Sequence, residues 1–128
     1  MSRLPPRPTD AELEILTVLW SRGASTVREV HETIGRRKPA RYSTVLKFMQ
    51  IMAEKGLVRR NEKQRAHVYE ASVPKEQTQQ QLVGDLVGRA FDGSASELVM
   101  RALSNQRTTP QELEEIRKLL DEYERGTK

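Results

Sequence analysis

Apolar positions along the chain recur first at helical spacing, then at strand spacing, then at helical spacing again. Thr9 to Glu12 reads T-x-x-E, a capping box that predicts a helix start, with Leu13, Leu16, Val18, Leu19 and Trp20 as its apolar face. "SRGAS" ends it near Arg22-Gly23, and Ser25 or Thr26 offers a second N-cap ahead of Val27, Val30 and Ile34, with a stop at Gly35. Pro39 in "RRKPAR" turns Lys38 away from helix, so a third helix begins near Tyr42 or Ser43. Within it Ser43, Lys47, Gln50 and Glu54 share a sector of about 60°, while Val45, Phe48, Met49 and Met52 lie opposite, so one face packs and the other is free. Gly56 ends this helix, and "LVRRN" and "AHVYEA" alternate as two short strands around the turn "EKQR", predicting a hairpin.

Beyond the hairpin the pattern returns to helix. "SVPKEQ" predicts a hinge, and a helix follows over 81–91 with Leu82, Val83, Leu86, Val87 and Ala90. "DGS" breaks it, Ser94 or Ser96 caps a helix carrying Leu98, Val99, Ala102 and Leu103, and "TPQE" at Thr109 to Glu112 opens a last helix with Leu113, Ile116, Leu119, Leu120 and Tyr123. Three helices followed by a hairpin give the order of a winged helix-turn-helix. The expected fold is therefore mainly α with a small β-hairpin: a winged-helix DNA-binding domain over 1–73 and a helical dimerisation domain over 74–128. Three short amphipathic helices make a poor independent core, so Leu82, Leu86, Leu98, Val99, Leu103, Ile116, Leu119 and Leu120 are assigned to a homodimer interface in preference to an intramolecular core.

Composition narrows the function. At 128 residues, with 31% charged and 5% aromatic, the chain has room for one domain and an appendage, and not for a large multidomain enzyme. The absence of Cys excludes disulfides, thiol nucleophiles and thiolate-bound metals. His31 and His67 stand without ligand spacing, and no nucleophile–base set appears, so no metal, cofactor or enzymatic activity is expected. The N-terminus lacks a signal-peptide apolar region and no run could span a bilayer, which points to a cytoplasmic protein without membrane insertion. The net charge of +4 is unevenly divided. Residues 1–74 carry 14 Lys and Arg against 8 Asp and Glu, and residues 75–128 carry 8 against 10. The basic part favours a polyanionic partner such as double-stranded DNA.

On that partner, Lys47 and Gln50 are the expected base or phosphate contacts, since Lys reaches guanine acceptors or phosphate and Gln pairs with adenine edges. Ser43 and Thr44 at the helix start suit phosphate oxygens, with simple capping as the plainer alternative, and Arg41 and Tyr42 stand just before them. Lys63, Gln64 and Arg65 at the wing tip form a second expected phosphate clamp. Glu54 is left to solvent, and Arg36, Arg37 and Lys38 are as consistent with loop solvation as with backbone contact. The alternative is a winged-helix protein-interaction module that binds no DNA; it would show exposed apolar anchors where Lys and Arg dominate here.

The stretches "PTDAELEILTVLW", "STVLKFMQIMAEKGLV", "HVYEA", "FDGS" and "ELEEIRKLL", in this order and spacing, resemble the BlaI/MecI penicillinase-repressor family of bacterial regulators. The resemblance implies a homodimeric repressor on a dyad operator, dimerised through its C-terminal helices, in a β-lactamase-type or related resistance regulon. It also implies a membrane sensor metalloprotease as a partner that triggers repressor cleavage. Cleaved members carry an Asn-Phe bond in the middle C-terminal helix, and the matching positions here are Arg101 and Ala102. Induction by cutting at that bond is therefore not expected, and the missing Cys excludes the metal hook of copper-responsive relatives.

Overall fold

The computed structural model describes residues 6–63 and 65–126. Its elements run α1 (Asp10–Arg22), β1 (Ser25–Thr26), α2 (Val27–Gly35), α3 (Tyr42–Lys55), β2 (Val58–Asn61), β3 (Val68–Ala71), α4 (Lys75–Ala90), α5 (Ala95–Asn105) and α6 (Pro110–Gly126). Two compact units divide between Val83 and Gly84, inside α4.

In the first unit α1 starts on the expected capping box: the Glu12 amide donates to Thr9 Oγ1 at 3.2 Å and the Thr9 amide to Glu12 Oε1 at 3.0 Å. A second capping box, T-x-x-E again, starts α2, with Thr26 as the cap and Glu29 reaching back to its amide at 2.9 Å. The Thr26 amide is the main influence holding the Glu29 carboxyl below its usual range; burial, next in size, opposes it, and the Thr26 hydroxyl and Arg22 add to the lowering. Ile15, Leu16, Val30, Val45, Met49 and Met52 from the three helices interlock in one core with Leu57, just before β2, and Val58 and Tyr69 from the sheet. Trp20 and Phe48 pack at its edge half-buried, and the Trp20 indole donates to the Val73 carbonyl at 3.0 Å. Gly56, at φ 84° and ψ 12°, takes the left-handed conformation that releases the chain from α3 into β2, a conformation a side chain would strain.

The sheet differs from the expected hairpin by one strand. Its order is β1-β3-β2, antiparallel throughout, with Ser25 opposite Tyr69, Thr26 opposite Val68 and Arg60 opposite Tyr69. β1 is only two residues long and carries no alternation, so no pattern announces it, yet it fastens the start of α2 to the wing.

The expected hinge at "SVPKEQ" is also corrected: α4 begins at Lys75, six residues before the expected start. Residues 75–80 hold no aliphatic residue to set a helical period, but Thr78 is buried and its amide bonds to the Pro74 carbonyl at 3.1 Å, so the first turn forms without an apolar signal. In the second unit α5 is capped by Ser94 and α6 by the Thr109–Glu112 box. No described residue from Gly84 to Gly126 is buried. Val99, Met100, Leu103, Leu119, Leu120 and Tyr123 are between 40% and 65% exposed, a set of large apolar side chains for which this unit offers no cover.

Candidate nucleic-acid interface

α3 presents the polar stripe as the sequence predicts. Ser43, Lys47, Gln50 and Glu54 are exposed, while Val45, Met49 and Met52 are fully packed beneath them. The helix is seated by contacts unrelated to the stripe. Lys55 Nζ, in its last turn, donates to Glu12 Oε2 at 2.8 Å, tying the end of α3 to the start of α1. Glu12 is 2% exposed. Burial is the largest single influence on its carboxyl and raises its pKa, but the Lys55 and Thr9 hydrogen bonds together outweigh it and hold the group below the usual glutamate range.

The start of α3 is built differently from its neighbours. α1, α2, α5 and α6 begin on a Thr or Ser hydroxyl that accepts a first-turn amide, whereas the α3 N-cap is Arg41 and makes no side-chain capping bond. Ser43 and Thr44 thus do not cap α3, which corrects the plainer alternative for them. The Thr44 amide turns back onto the Arg41 carbonyl at 3.1 Å, and the partial positive charge of this helix end stands beside four exposed side chains, Arg41 to Thr44.

Around this end the expected residues separate into three places. Tyr42, Gln50 and Arg65 line one groove between α3 and the wing, together with Arg28 of α2, Arg60 of β2 and His67. Arg41 and Thr44 open instead onto a hollow shared with α1 and the linker before α3. Lys63 lines a third hollow on the wing with Arg59, Arg60, Glu62 and Glu70. Ser43 and Lys47 are exposed on α3, and Gln64 lies outside the described residues. Among the described residues Arg41, Lys47, Lys63 and Arg65 form no ion pair, whereas Arg59 is held by Glu70 and Arg60 by Glu62 at 3.0 and 2.9 Å. The Tyr69 hydroxyl, then Glu62, shift Arg60 further toward its charged form.

Arg28 and Arg60 are additions to the groove that the sequence did not single out. Arg28 stands one residue into α2 beside an apolar face, and only the β1–β3 pairing shows that this end of α2 meets the wing. Arg60 reads as an ordinary strand residue until the wing is folded back over α3. His31 is held by local contacts: its Nε2 meets the Ala40 carbonyl at 2.7 Å and its ring stands edge-on to Tyr42. The described residues contain no group of three or more His, Asp or Glu arranged to hold a metal, and no helix among them is long and apolar enough to cross a membrane.

A three-helix core, a basic wing and an exposed third helix define a winged helix-turn-helix protein. The family model for the penicillinase repressor matches residues 8–122, and the chain belongs to that family. It is 30% identical over 118 residues to the transcriptional regulator BlaI of Mycobacterium tuberculosis, covering 91% of this chain and 85% of that one. The penicillinase repressor of Bacillus licheniformis is 21% identical over 123 residues, 96% of each chain. Among solved structures, the DNA-binding domain of the repressor BlaI aligns with a TM-score of 0.51 at 23% identity, covering 59% of this chain and 90% of that one. The B. licheniformis BlaI monomeric form in complex with the blaP half-operator aligns equally well, at 21% identity over 59% of this chain and 92% of that one.

Proposed function

We propose that the chain is a DNA-binding transcriptional repressor that acts as a homodimer on a dyad operator. The observation that carries this is the α3 start: a helix N-terminus without a side-chain cap, beside Arg41, Lys47 and Arg65, which form no ion pair among the described residues, suits phosphate oxygens, and Lys47 and Gln50 are exposed further along the same helix, where they can meet base edges. Family membership supports the same partner, as does the half-operator bound by the B. licheniformis relative. Arg28 and Arg60 join the expected contacts as backbone clamps on either side of the groove.

The winged helix, residues 1–73, reads one half-site, and the helices of 74–128 supply dimerisation. Exposed Leu86, Val99, Leu103, Leu119 and Leu120, with half-buried Leu82, Leu98 and Ile116, form the interface. Two half-sites about 10 base pairs apart would then be held through one dimer, and weakening the contact between copies removes the effective-concentration gain. Repression follows from occupancy of the operator, in a resistance regulon of the β-lactamase type, within the cytoplasm. A membrane sensor metalloprotease remains the partner the family suggests, but with Arg101 and Ala102 exposed on α5 in place of the family bond, release proceeds by another route. Selection of bound fragments from genomic DNA, with sedimentation of the recovered complexes, tests the whole reading. A twofold-symmetric motif holding two chains is expected; no enriched motif, or one chain per fragment, would refute it.

A further inference from the structure

The hollow beside the α3 start has a chemistry that DNA contact does not use. Its volume is about 300 Å³ and its lining is mostly apolar: Ala11 of α1, Pro39 and Ala40 of the linker and Phe48 of α3 offer it surface, above the buried Ile15, Ile34 and Val45. That volume lies at the lower end of the range typical of small-molecule pockets, which are mostly apolar with a few polar groups at fixed places. Three charged residues stand at its mouth. Lys38 Nζ is bonded to Glu14 Oε1 at 3.0 Å, so these two cancel. Arg41 has no ion-pair partner among the described residues, and the uncapped first turn of α3 adds partial positive charge on the same edge. An apolar cavity whose single uncompensated charge is a guanidinium suits a flat apolar body ending in one carboxylate, since Arg binds carboxylate in a two-pronged geometry.

The geometry points to a binding site for a small aromatic monocarboxylate between α1, the α2–α3 linker and the start of α3, with the ring against Phe48 and Pro39 and the carboxylate on Arg41. Arg41 and Thr44 belong both to this hollow and to the α3 end assigned to DNA, so an occupied site withdraws a cation from the phosphate backbone. Ligand and operator then oppose one another, and by linkage each weakens the other by the same factor. The site itself stands on the cavity alone; only the coupling rests on the proposed DNA-binding function.

The test is an NMR titration of the isotope-labelled full chain, without DNA, using phenylacetate and its neutral analogue phenylacetamide. Phenylacetate should produce saturable shifts at the Ala40, Thr44 and Val45 amides with a Kd below about 1 mM, a free energy of about −4 kcal/mol. Phenylacetamide, and phenylacetate on Arg41→Gln, should bind at least about tenfold more weakly. Ala11→Leu, which fills the hollow from α1 without touching a DNA-assigned residue, should lose the shifts while keeping the wild-type circular dichroism spectrum; Ala11→Val is a milder filling should the first variant unfold. No saturable shift in the wild type, equal binding of the neutral amide, or shifts centred on the wing would each overturn the site. In a separate anisotropy titration, saturating phenylacetate should weaken operator binding about fivefold or more in the wild type and leave Ala11→Leu unaffected. Unchanged operator affinity in the liganded wild type overturns the coupling. A chain that binds phenylacetate but no DNA leaves the site standing and removes the repressor function instead.

Discussion

Replacing Lys55 with Met tests how α3 is held in place. Met keeps much of the aliphatic stem and the helix propensity of Lys, so the change removes chiefly the charge. What remains is the Glu12 carboxylate, 2% exposed, with its Oε1 still bonded to the Thr9 amide and its Oε2 deprived of the ammonium 2.8 Å away. Removing one partner of a buried pair typically costs about 3–5 kcal/mol. The Lys55 side chain is 33% exposed, so solvent already screens part of the attraction, and a loss of about 2–3 kcal/mol at pH 7 is expected. For a unit of this size that corresponds to a fall in melting temperature of about 10–20 °C. In the wild type the Glu12 pKa is lowered by folding, so its contribution is fully present above the ordinary glutamate range and is lost as pH falls through the lowered folded value. In Lys55→Met burial acts with less opposition, the carboxyl takes up a proton more readily, and the deficit relative to wild type should shrink at pH 4. Urea titrations followed by the fluorescence of Trp20, the only tryptophan, report on the first unit through its bond to Val73. An unchanged midpoint at pH 7, or a deficit of the same size at pH 4, would refute the account of the pair.

Thr26→Ala removes the α2 cap and should cost about 1 kcal/mol of first-unit stability, read as a shift in the same urea midpoint. Gln50→Ala should weaken binding to the selected operator while sparing unrelated DNA, whereas Lys63→Ala should weaken both alike and reduce the salt slope by about one, checked by anisotropy over a salt series. Leu119→Asp places a charge on an exposed apolar face of α6 and should yield a monomer by sedimentation, with much weaker binding to a full operator. Incubation with an activated sensor protease should leave the Arg101–Ala102 bond intact by mass spectrometry.

α1, α2 and α3 were legible because each combines a boundary signal, a capping threonine for α1 and α2 and the preceding Pro39 for α3, with a 3.6-residue period such as Val45, Met49 and Met52. The stripe of Lys47 and Gln50 followed from the same period, since a helix that buries Met49 must expose Gln50. What escaped was pairing across distance. β1 is two residues of a ladder whose partner lies more than 40 positions away, and the Lys55 contact to Glu12 joins two helix ends that look complete alone, one a capping box and the other a basic last turn. The grouping of the site residues escaped as well: Arg41 and Tyr42 are adjacent in the chain but line different hollows, because Arg41 has the extended backbone of an N-cap, φ −88° and ψ 138°, and Tyr42 begins the helix. The early start of α4 was hidden by composition, its first turn being anchored by Thr78 where an aliphatic residue would have set the period.

The two units also differ in what stabilises them, and this bears on how a repressor of this kind is released. The first closes a core of its own, with Leu16, Val30, Met49 and Met52 at 0% exposure, so its fold is independent of chain concentration. In the second, α5 and α6 have well-formed caps and apolar faces but bury no described residue, and an isolated helix of 11 or 17 residues is marginal in water. On the homodimer reading the order of α5 and α6 therefore depends on association, and any agent that lowers dimer concentration loosens them while leaving the DNA-reading unit folded. Release then needs no damage to the winged helix: a monomer keeps its half-site contacts and loses only the gain from being linked. Thermal melts should accordingly show a helical transition that moves to higher temperature with chain concentration and a Trp20 transition that does not. A single transition shifting in concert for both signals would mean that the two units fold as one and that control by dimerisation cannot be separated from stability.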